Sequence, residues 1–415
     1  MIETNFKHTD IGSIPRDWEV KRLGEIGEPL MCKRILKEQT CNSGDIPFYK
    51  IGTFGKDADA YISKDLYENM KSLYSYPQIG DILISAAGTI GRLVVFDGEP
   101  AYFQDSNIVW IGHDNKQVIN SYLYHILRTV QWQTEFSCTI SRLYNSNLKR
   151  TLIPVPPIGE QEAIAKALSD IDELIGGLRK LIEKKRNIKQ GAMSRLLSGS
   201  LQLPGFNKPW VTRTLGEIGH LIPNNSLSWE YLTNSGKVAN IHYGHILTRF
   251  GAIVDVSYTQ LPYVEKNSEA RFLKGNMAND GDIIFADTAE DDTVGKAIEL
   301  INIGDKHIVS GLHTFWFRPD VEFAHSFLGY AVNGEAFHSQ IPLLATGTKV
   351  SSISKPNLLK LELHYPTDLA EQSAIAKVLT DMDAEIEGLE KKLAKYEQVK
   401  QGMMKQLLTG KIRLI

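Results

Sequence analysis

Long apolar runs are absent from this chain of 415 residues. None approaches the ~18 residues that a membrane span requires. The N-terminal Met-Ile-Glu-Thr-Asn-Phe-Lys-His also lacks the apolar core of a signal peptide. Cysteine is scarce: Cys32, Cys41 and Cys138 occur, with no C-x-x-C pair. That odd, scattered set argues against a disulfide framework or zinc cluster and for reduced thiols in the cytoplasm, with no membrane partner. Positive charge is not in excess either. The net charge is −3, and residues 200–368 carry 13 basic against 18 acidic side chains, so any DNA binding there needs a local basic face.

Catalytic motifs are equally sparse. No G-x-x-x-x-G-K-[ST] loop is present, which excludes a P-loop nucleotide hydrolase. There is no Asn-Pro-Pro or Asp-Pro-Pro turn of the kind that holds the target base in amino-methyltransferases. No His-Glu-x-x-His pair or cysteine cluster offers a metal site. The 11 histidines are dispersed, without a nucleophile–base pattern. The run Asp287, Glu290, Asp291, Asp292 reads either as a cation-binding loop or as a solvated acidic turn. The expectation is a non-enzymatic chain with no metal and no cofactor of its own.

What the chain does contain is itself, twice. Trp18-Glu-Val-Lys-Arg-Leu-Gly-Glu-Ile-Gly27 returns as Trp210-Val-Thr-Arg-Thr-Leu-Gly-Glu-Ile-Gly219, and the segment Glu160 to Gly199 matches Glu371 to Gly410 without a gap. This is duplication of a structural unit. Within the second pair of segments, Ile164, Leu168, Ile171, Ile175, Leu178 and Ile182 follow alternating steps of four and three. Ile375, Leu379, Met382, Ile386, Leu389, Leu393 and Tyr396 do the same. Such a stripe is the seam of a coiled coil. Ile171 and Met382 hold equivalent positions in it, and both are expected to be buried between the helices. Prolines before each segment and Gly199 and Gly410 after them are start and stop signals. A helix of about 38 residues is on the order of 55 Å long and marginal alone in water, so two such stripes most simply pair with each other. The plainer alternative docks each helix on its own domain.

The remaining sequence reads as two globular domains of mixed strand and helix. Asp81-Ile-Leu-Ile-Ser85 and Asp282-Ile-Ile-Phe-Ala286 are short β-rich runs, each entered by Gly-Asp and followed by a polar turn ending in Gly91 or Gly295. Strands follow at Leu93–Phe96 and Ile308–Val309, and short helices at Ser121–Val130 and Ala324–Val332. Between these anchors the halves share little sequence. The fold class is therefore α+β: two related mixed α/β domains, 1–157 and 200–368, separated by two long helices, 158–199 and 369–415 with its tail, in an internal pseudo-two-fold repeat. The tail Leu408-Thr-Gly-Lys-Ile-Arg-Leu-Ile415 echoes Leu197-Ser-Gly-Ser-Leu-Gln-Leu203, which places the C-terminus near the first domain.

Several of these segments resemble one family. Arg150-Thr-Leu-Ile-Pro-Val-Pro-Pro-Ile-Gly-Glu-Gln-Glu-Ala-Ile-Ala-Lys-Ala-Leu-Ser-Asp-Ile-Asp172 and Glu371-Gln-Ser-Ala-Ile-Ala-Lys-Val-Leu-Thr-Asp-Met-Asp383 are similar to the opening of the helical regions in specificity subunits of Type I restriction–modification enzymes. So are the helix endings Lys189–Gly199 and Lys400–Gly410 and the domain openings at Trp18 and Trp210. The likeness covers essentially the whole chain. It departs where Ile153-Pro-Val-Pro-Pro157 becomes Leu363-His-Tyr-Pro366, which implies a different angle into the second helix. The resemblance implies two target-recognition domains, each reading half of a bipartite site in double-stranded DNA, held apart by an antiparallel coiled-coil spacer. It implies as partners two DNA adenine methyltransferase subunits and restriction/translocase subunits. S-adenosylmethionine, ATP and Mg would sit only on those partners.

Basic and amide side chains supply the candidate DNA contacts, because Arg and Lys hold phosphates or read guanine and Asn reads adenine. In the first domain these are Lys33, Arg34, Lys37, Lys50, Lys56, Arg92, Arg142, Tyr144, Asn145 and Lys149. In the second they are His242, His245, Arg249, Lys266, Arg271, Lys274, Thr348 and Lys349. The competing function class is a coiled-coil adaptor holding two protein-binding domains apart.

Overall fold

Strict alternation of side chains builds the central sheet of the first domain. The computed structural model describes residues 5–133, 135–137, 140–347 and 349–415, so Cys138 and Thr348 lie outside it. The chain divides into two units, 1–179 with 392–415, and 180–391. In the first, strands Glu28–Leu30, Ile108–Gly112, Ile82–Ser85 and Leu93–Val95 lie side by side in that order, all antiparallel. Ile82, Ile84, Val109 and Ile111 face one core with Trp18, Tyr122 and Leu123, whereas Leu83, Ile108 and Trp110 face another with Phe48, Phe54, Phe96 and Tyr102. Both faces of the sheet are thus covered, and a one-residue slip would exchange the two cores. A smaller sheet carries Ile46–Tyr49 between Tyr61–Ile62 and Tyr102–Phe103.

The second unit uses the same plan with different residues. Its sheet runs Gly219–Ile222, Thr314–Pro319, Ile283–Ala286, Ala297–Ile301, Ile253–Asp255, the last strand being an addition. Ile283 and Phe285 point into one core and Ile284 and Ala286 into the other. The Gly-Asp turn before the central strand repeats in detail. Gly80 and Gly281 have φ of 89° and 85°, and Asp81 and Asp282 accept from the backbone N–H of Gln78 and Asn279, each at 2.8 Å. The expected strand at Ile308–Val309 extends over His307–Ser310 and pairs in parallel with Val238–Ile241.

The long helices span Ile158–Leu197 and Leu369–Leu407. Each begins with a buried Glu-Gln pair. Trp18 Nε1 donates to Glu160 Oε2 at 2.9 Å, and Trp210 Nε1 donates to Glu371 Oε1 at 3.3 Å. Gln161 Nε2 reaches the Pro156 carbonyl and Gln372 Nε2 that of Pro366, both at 2.8 Å. The same glutamine therefore anchors both openings despite their different proline content. The glutamate carboxylates also sit at helix N-termini, where the backbone dipoles favour negative charge.

The stripes divide their labour. Ile164 and Leu168 are buried in the core of the first domain alongside Leu407, and Ile375 and Leu379 in the core of the second alongside Met193, Leu196 and Leu197. These four positions, assigned to the seam from spacing alone, dock helix on domain, as in the plainer reading. Ile171, Ile175, Leu178, Ile182 and Ile386 are buried without belonging to either domain core. Met382, Leu389, Leu393 and Tyr396 are half-buried, which corrects the expectation of burial for Met382. On the first helix, a Cβ at Gly176, Gly177 or Gly191 would meet nothing within 4 Å.

Charge pairs flank the stripes within each unit. In the first, Lys400 Nζ meets Asp172, and Arg179 Nη2 meets Glu397 Oε1 at 2.5 Å. In the second, Lys189 meets Asp383, Lys185 meets Glu385 and Arg186 meets Glu390, at 2.5–2.6 Å. In the first unit the partner number falls from Lys400 to Glu397 as it rises from Asp172 to Arg179, and in the second it falls from Glu390 to Asp383 between Arg186 and Lys189, so the paired segments run antiparallel.

The tail differs between the halves. Arg413 donates to both oxygens of Glu160, at 2.7 and 2.8 Å, and to Asp17. The matching residue after the first helix is Gln202, and Glu371, fully buried, keeps one oxygen without a partner among the described residues. Replacing Arg413 with Met strands a buried carboxylate and is expected to cost about 3–5 kcal/mol. Gln202→Arg supplies the missing donor and is expected to stabilise by about 1 kcal/mol. Thermal denaturation of the full chain reads both; a destabilised Q202R chain would show that the two tails are not equivalent. The stripes give a second expectation: Ile171→Asp should cost on the order of 3 kcal/mol, and Met382→Asp clearly less, because the half-open site leaves the charge hydrated. Equal losses would contradict the burial difference.

Candidate nucleic-acid interface

Four loops of the first domain are tied together by hydrogen bonds. The turn after the central strand closes through Gly91 N to Ser85 O at 2.9 Å, with Gly91 at a φ of 79°. A Cβ there would meet the Trp132 indole at 2.3 Å, so only glycine fits. Arg92 Nη1 then donates to the Phe54 carbonyl at 2.7 Å and joins this turn to the 50–56 loop. Ile51 N donates to Gln104 Oε1 at 2.8 Å. Arg142 Nη2 donates to Ser106 Oγ at 2.8 Å and to the Ser106 carbonyl at 3.2 Å.

Around this network Lys56, Arg34, Tyr144 and Asn145 are exposed. Arg34 lies 3.4 Å from Asp105, and Lys50 2.8 Å from Asp59. A cleft of about 270 Å³ opens between the loops, lined by Gly52, Phe54, Lys56, Ser85, Thr89 and Arg92 among others. Lys33 lies over the Tyr74 ring, and Lys37 starts a short exposed turn, Lys37–Gln39. Lys149 belongs elsewhere: it pairs with Glu28 at 2.5 Å and its Cβ abuts Gly24.

In the second domain the matching turn closes through Gly295 N to Ala286 O at 2.9 Å, with Gly295 at a φ of 81° and Ile341 in the place of its Cβ. Lys296 Nζ donates to the Leu247 carbonyl at 3.1 Å. The acidic run splits. Asp287 turns inward to His313 Nδ1 at 3.3 Å, and burial raises its pKa. Asp291 accepts from Thr293 N at 2.9 Å, while Glu290, Asp291 and Asp292 stay exposed. Among the described residues no cluster of three or more potential metal ligands occurs, and no helix is long and apolar enough to cross a membrane.

Two expected contacts are corrected here. His242 and His245 are buried, 6% and 4% exposed. Trp229 stacks on His245 at 4.1 Å and 12°, so both imidazoles serve the packing of the helix Tyr243–Thr248 rather than a surface. Trp229 and Tyr231 are instead exposed aromatics of this region, outside the set of contacts expected from the sequence. Their signal was an aromatic pair in the polar stretch that begins at Asn224. Arg249 is exposed and donates to the Gln260 carbonyl at 2.8 Å. Lys266, Arg271 and Lys274 are exposed on a separate segment that ends near Phe272, and Lys349 is exposed beside Thr348, itself outside the described residues.

Burial pushes His245 down to about 4. Unfolded, the same imidazole titrates near ~6.5. Stability from this site is therefore fully present above pH ~6.5 and is lost as pH falls toward 4, because only the unfolded chain takes up the proton. His125, also pushed down to about 4 by burial, adds a loss over the same window, and Glu299, pushed up to about 7, acts in the opposite sense. His245→Phe, which keeps a ring under Trp229, is expected to lose less stability than the parent between pH 6.5 and 4. Parallel melting curves of the two would count against a buried neutral His245.

Comparison with known proteins bears on this architecture. The model for the Type I restriction modification DNA specificity domain matches residues 15–184 and again 207–398. A Methanocaldococcus jannaschii protein named as the MjaX specificity subunit of a type I restriction enzyme is 30% identical over 99% of this chain and 97% of its own length. A Haemophilus influenzae protein named as a type I specificity subunit is 56% identical over 160 residues, 39% of this chain and 42% of that protein. The solved S subunit of a Type I restriction–modification system from M. genitalium has a similar fold, with a TM-score of 0.58 over 98% of this chain and 97% of that one, at 16% identity. With two such domains filling most of its length, this chain belongs to the DNA specificity subunits of Type I restriction–modification systems, and its two globular domains are target-recognition domains.

Proposed function

We propose that each target-recognition domain reads one half of a bipartite site in double-stranded DNA and that the two long helices form an antiparallel coiled-coil spacer between the halves. The observation that carries this reading is a repeated frame with unlike contents. The turns at Gly91 and Gly295 close through the same kind of backbone bond, to Ser85 O and to Ala286 O, yet they present Gly88-Thr-Ile90 in one domain and Glu290-Asp-Asp292 in the other. Duplicated support with different surface chemistry suits two different half-sites. Lys56, Arg34, Lys50, Tyr144 and Asn145 are the contacts expected in the first domain, with Arg142 and Arg92 behind them. Arg249, Lys266, Arg271, Lys274, Lys349 and Thr348 are those in the second.

The helix pair, with the pseudo-two-fold repeat of Asp172–Lys400 and Asp383–Lys189, offers two related surfaces to two DNA adenine methyltransferase subunits. The chain itself contributes no catalytic group. S-adenosylmethionine belongs on the methyltransferase subunits, and ATP and Mg on restriction/translocase subunits. An adaptor joining two protein partners is the competing reading, and binding to duplex DNA in the presence of a methyltransferase subunit distinguishes them.

The expected assembly is two methyltransferase subunits to one chain, read by mass measurement of the complex; saturation at one to one would sink the duplicated-surface reading. Inserting four residues at matched points in both helices lengthens each by about 6 Å. Methylated-adenine mapping should then report a longer spacer between unchanged half-sites, whereas altered half-sites would reject this division of labour.

A further inference from the structure

The two domains share a tether that their sequences do not reveal. In each, a cation directly follows the positive-φ glycine of the central turn. Ser85 N donates to Arg92 O at 2.9 Å, and Ala286 N to Lys296 O at 2.8 Å, so the two residues hold the same place in the frame. Each side chain then leaves its own turn and donates to a distant backbone carbonyl: Phe54 O in the 50–56 loop at 2.7 Å, 38 residues away, and Leu247 O in the last turn of the helix Tyr243–Thr248 at 3.1 Å, 49 residues away.

The target segments, a loop in one domain and a helix end in the other, share no sequence, and the cations differ in kind. Neither cation has a carboxylate within ion-pair distance among the described residues, although Lys296 is buried enough to lower its pKa. A surface cation recruited only for DNA phosphates would extend into solvent. These two spend a charged donor on a backbone carbonyl, a charge-assisted bond stronger than a neutral one.

We propose that Arg92 and Lys296 are positioning residues that set the spacing between the turn and the facing segment on which each domain's DNA reading depends. This rests on the two-half-site reading given above. In the first domain the tether forms one wall of the cleft lined by Lys56 and Thr89. Loss of the tether lets the walls drift, and hydrogen bonds to base edges lose their alignment before phosphate contacts are affected. Arg92 thus shapes the readout without supplying it, and Lys296 does the same in the second domain.

The test uses the full chain assembled with its methyltransferase subunits on a library of randomised DNA, with methylated adenines mapped. Arg92→Met is expected to lower discrimination at one half-site by on the order of tenfold, about the penalty of one mismatched base pair, with the other half-site unchanged. Lys296→Met should give the converse. Arg92→Lys and Lys296→Arg, which restore a donor able to reach the carbonyl, should recover discrimination. Unchanged discrimination in both Met variants overturns the proposal. A uniform loss of affinity on all sequences, with a salt slope reduced by about one, also overturns it and makes the cations phosphate contacts. Should Arg92→Met fail to fold, Lys296→Met and the two conservative variants still decide. A parent complex that methylates without a split site overturns the two-half reading and the tether's role with it; a split site with unmoved variants overturns the tether alone.

Discussion

A buried carboxylate at the first turn of each long helix is the constraint on which the rest of each unit depends. Glu160 and Glu371 are 5% and 0% exposed. An ionised carboxylate out of water requires donors in good geometry, since an unpaired one costs several kcal/mol. Trp18 and Trp210 supply an indole N–H in each case. The tryptophan comes from the start of its domain and the glutamate from the segment after its end, so one hydrogen bond closes the domain and aims the helix. The neighbouring Gln161 and Gln372 complete the joint by gripping the backbone before the helix and a loop of the domain.

From that joint the docking of the helices follows. Ile164 and Leu168 lie four and eight residues on from Glu160 and fall on the domain-facing side, as do Ile375 and Leu379. Past those two turns the apolar stripe leaves the domain core, and charge pairs take over at its edges. In the first unit Asp172 receives both Lys400 and Arg128. In the second Asp383 receives both Lys189 and the Tyr330 hydroxyl, the latter at 2.7 Å. Each unit therefore fixes both long helices to a single domain by a carboxylate with two donors.

The recognition surfaces stand on this frame and obey different rules. The frame needs glycine at φ near 80°, with Trp132 or Ile341 filling the space a Cβ would occupy. The loops it carries need only leave the frame's hydrogen bonds intact, so they can change charge without loss of fold. That freedom explains how the second domain can be acidic as a whole while keeping the strand order of the first.

Periodicity and repetition were sufficient to find the long helices, the two central strands with their Gly-Asp turns, and the duplicated plan, because these depend on local spacing of apolar residues and on backbone conformations that few residues allow. Spacing alone could not say which stripe positions face a helix and which face a domain, since an isoleucine is equally apolar in either contact. Nor could composition separate a surface cation from a tether: Arg92 reads as a DNA contact until its partner, 38 residues distant, is seen. His242 and His245 read as surface contacts for the same reason, because only the packing of Trp229 from another segment makes them core residues. What residue type and order determined was the frame; which side chains remain free to meet a partner was decided by contacts between segments far apart in the chain, and burial and pairing exist only once those segments have met.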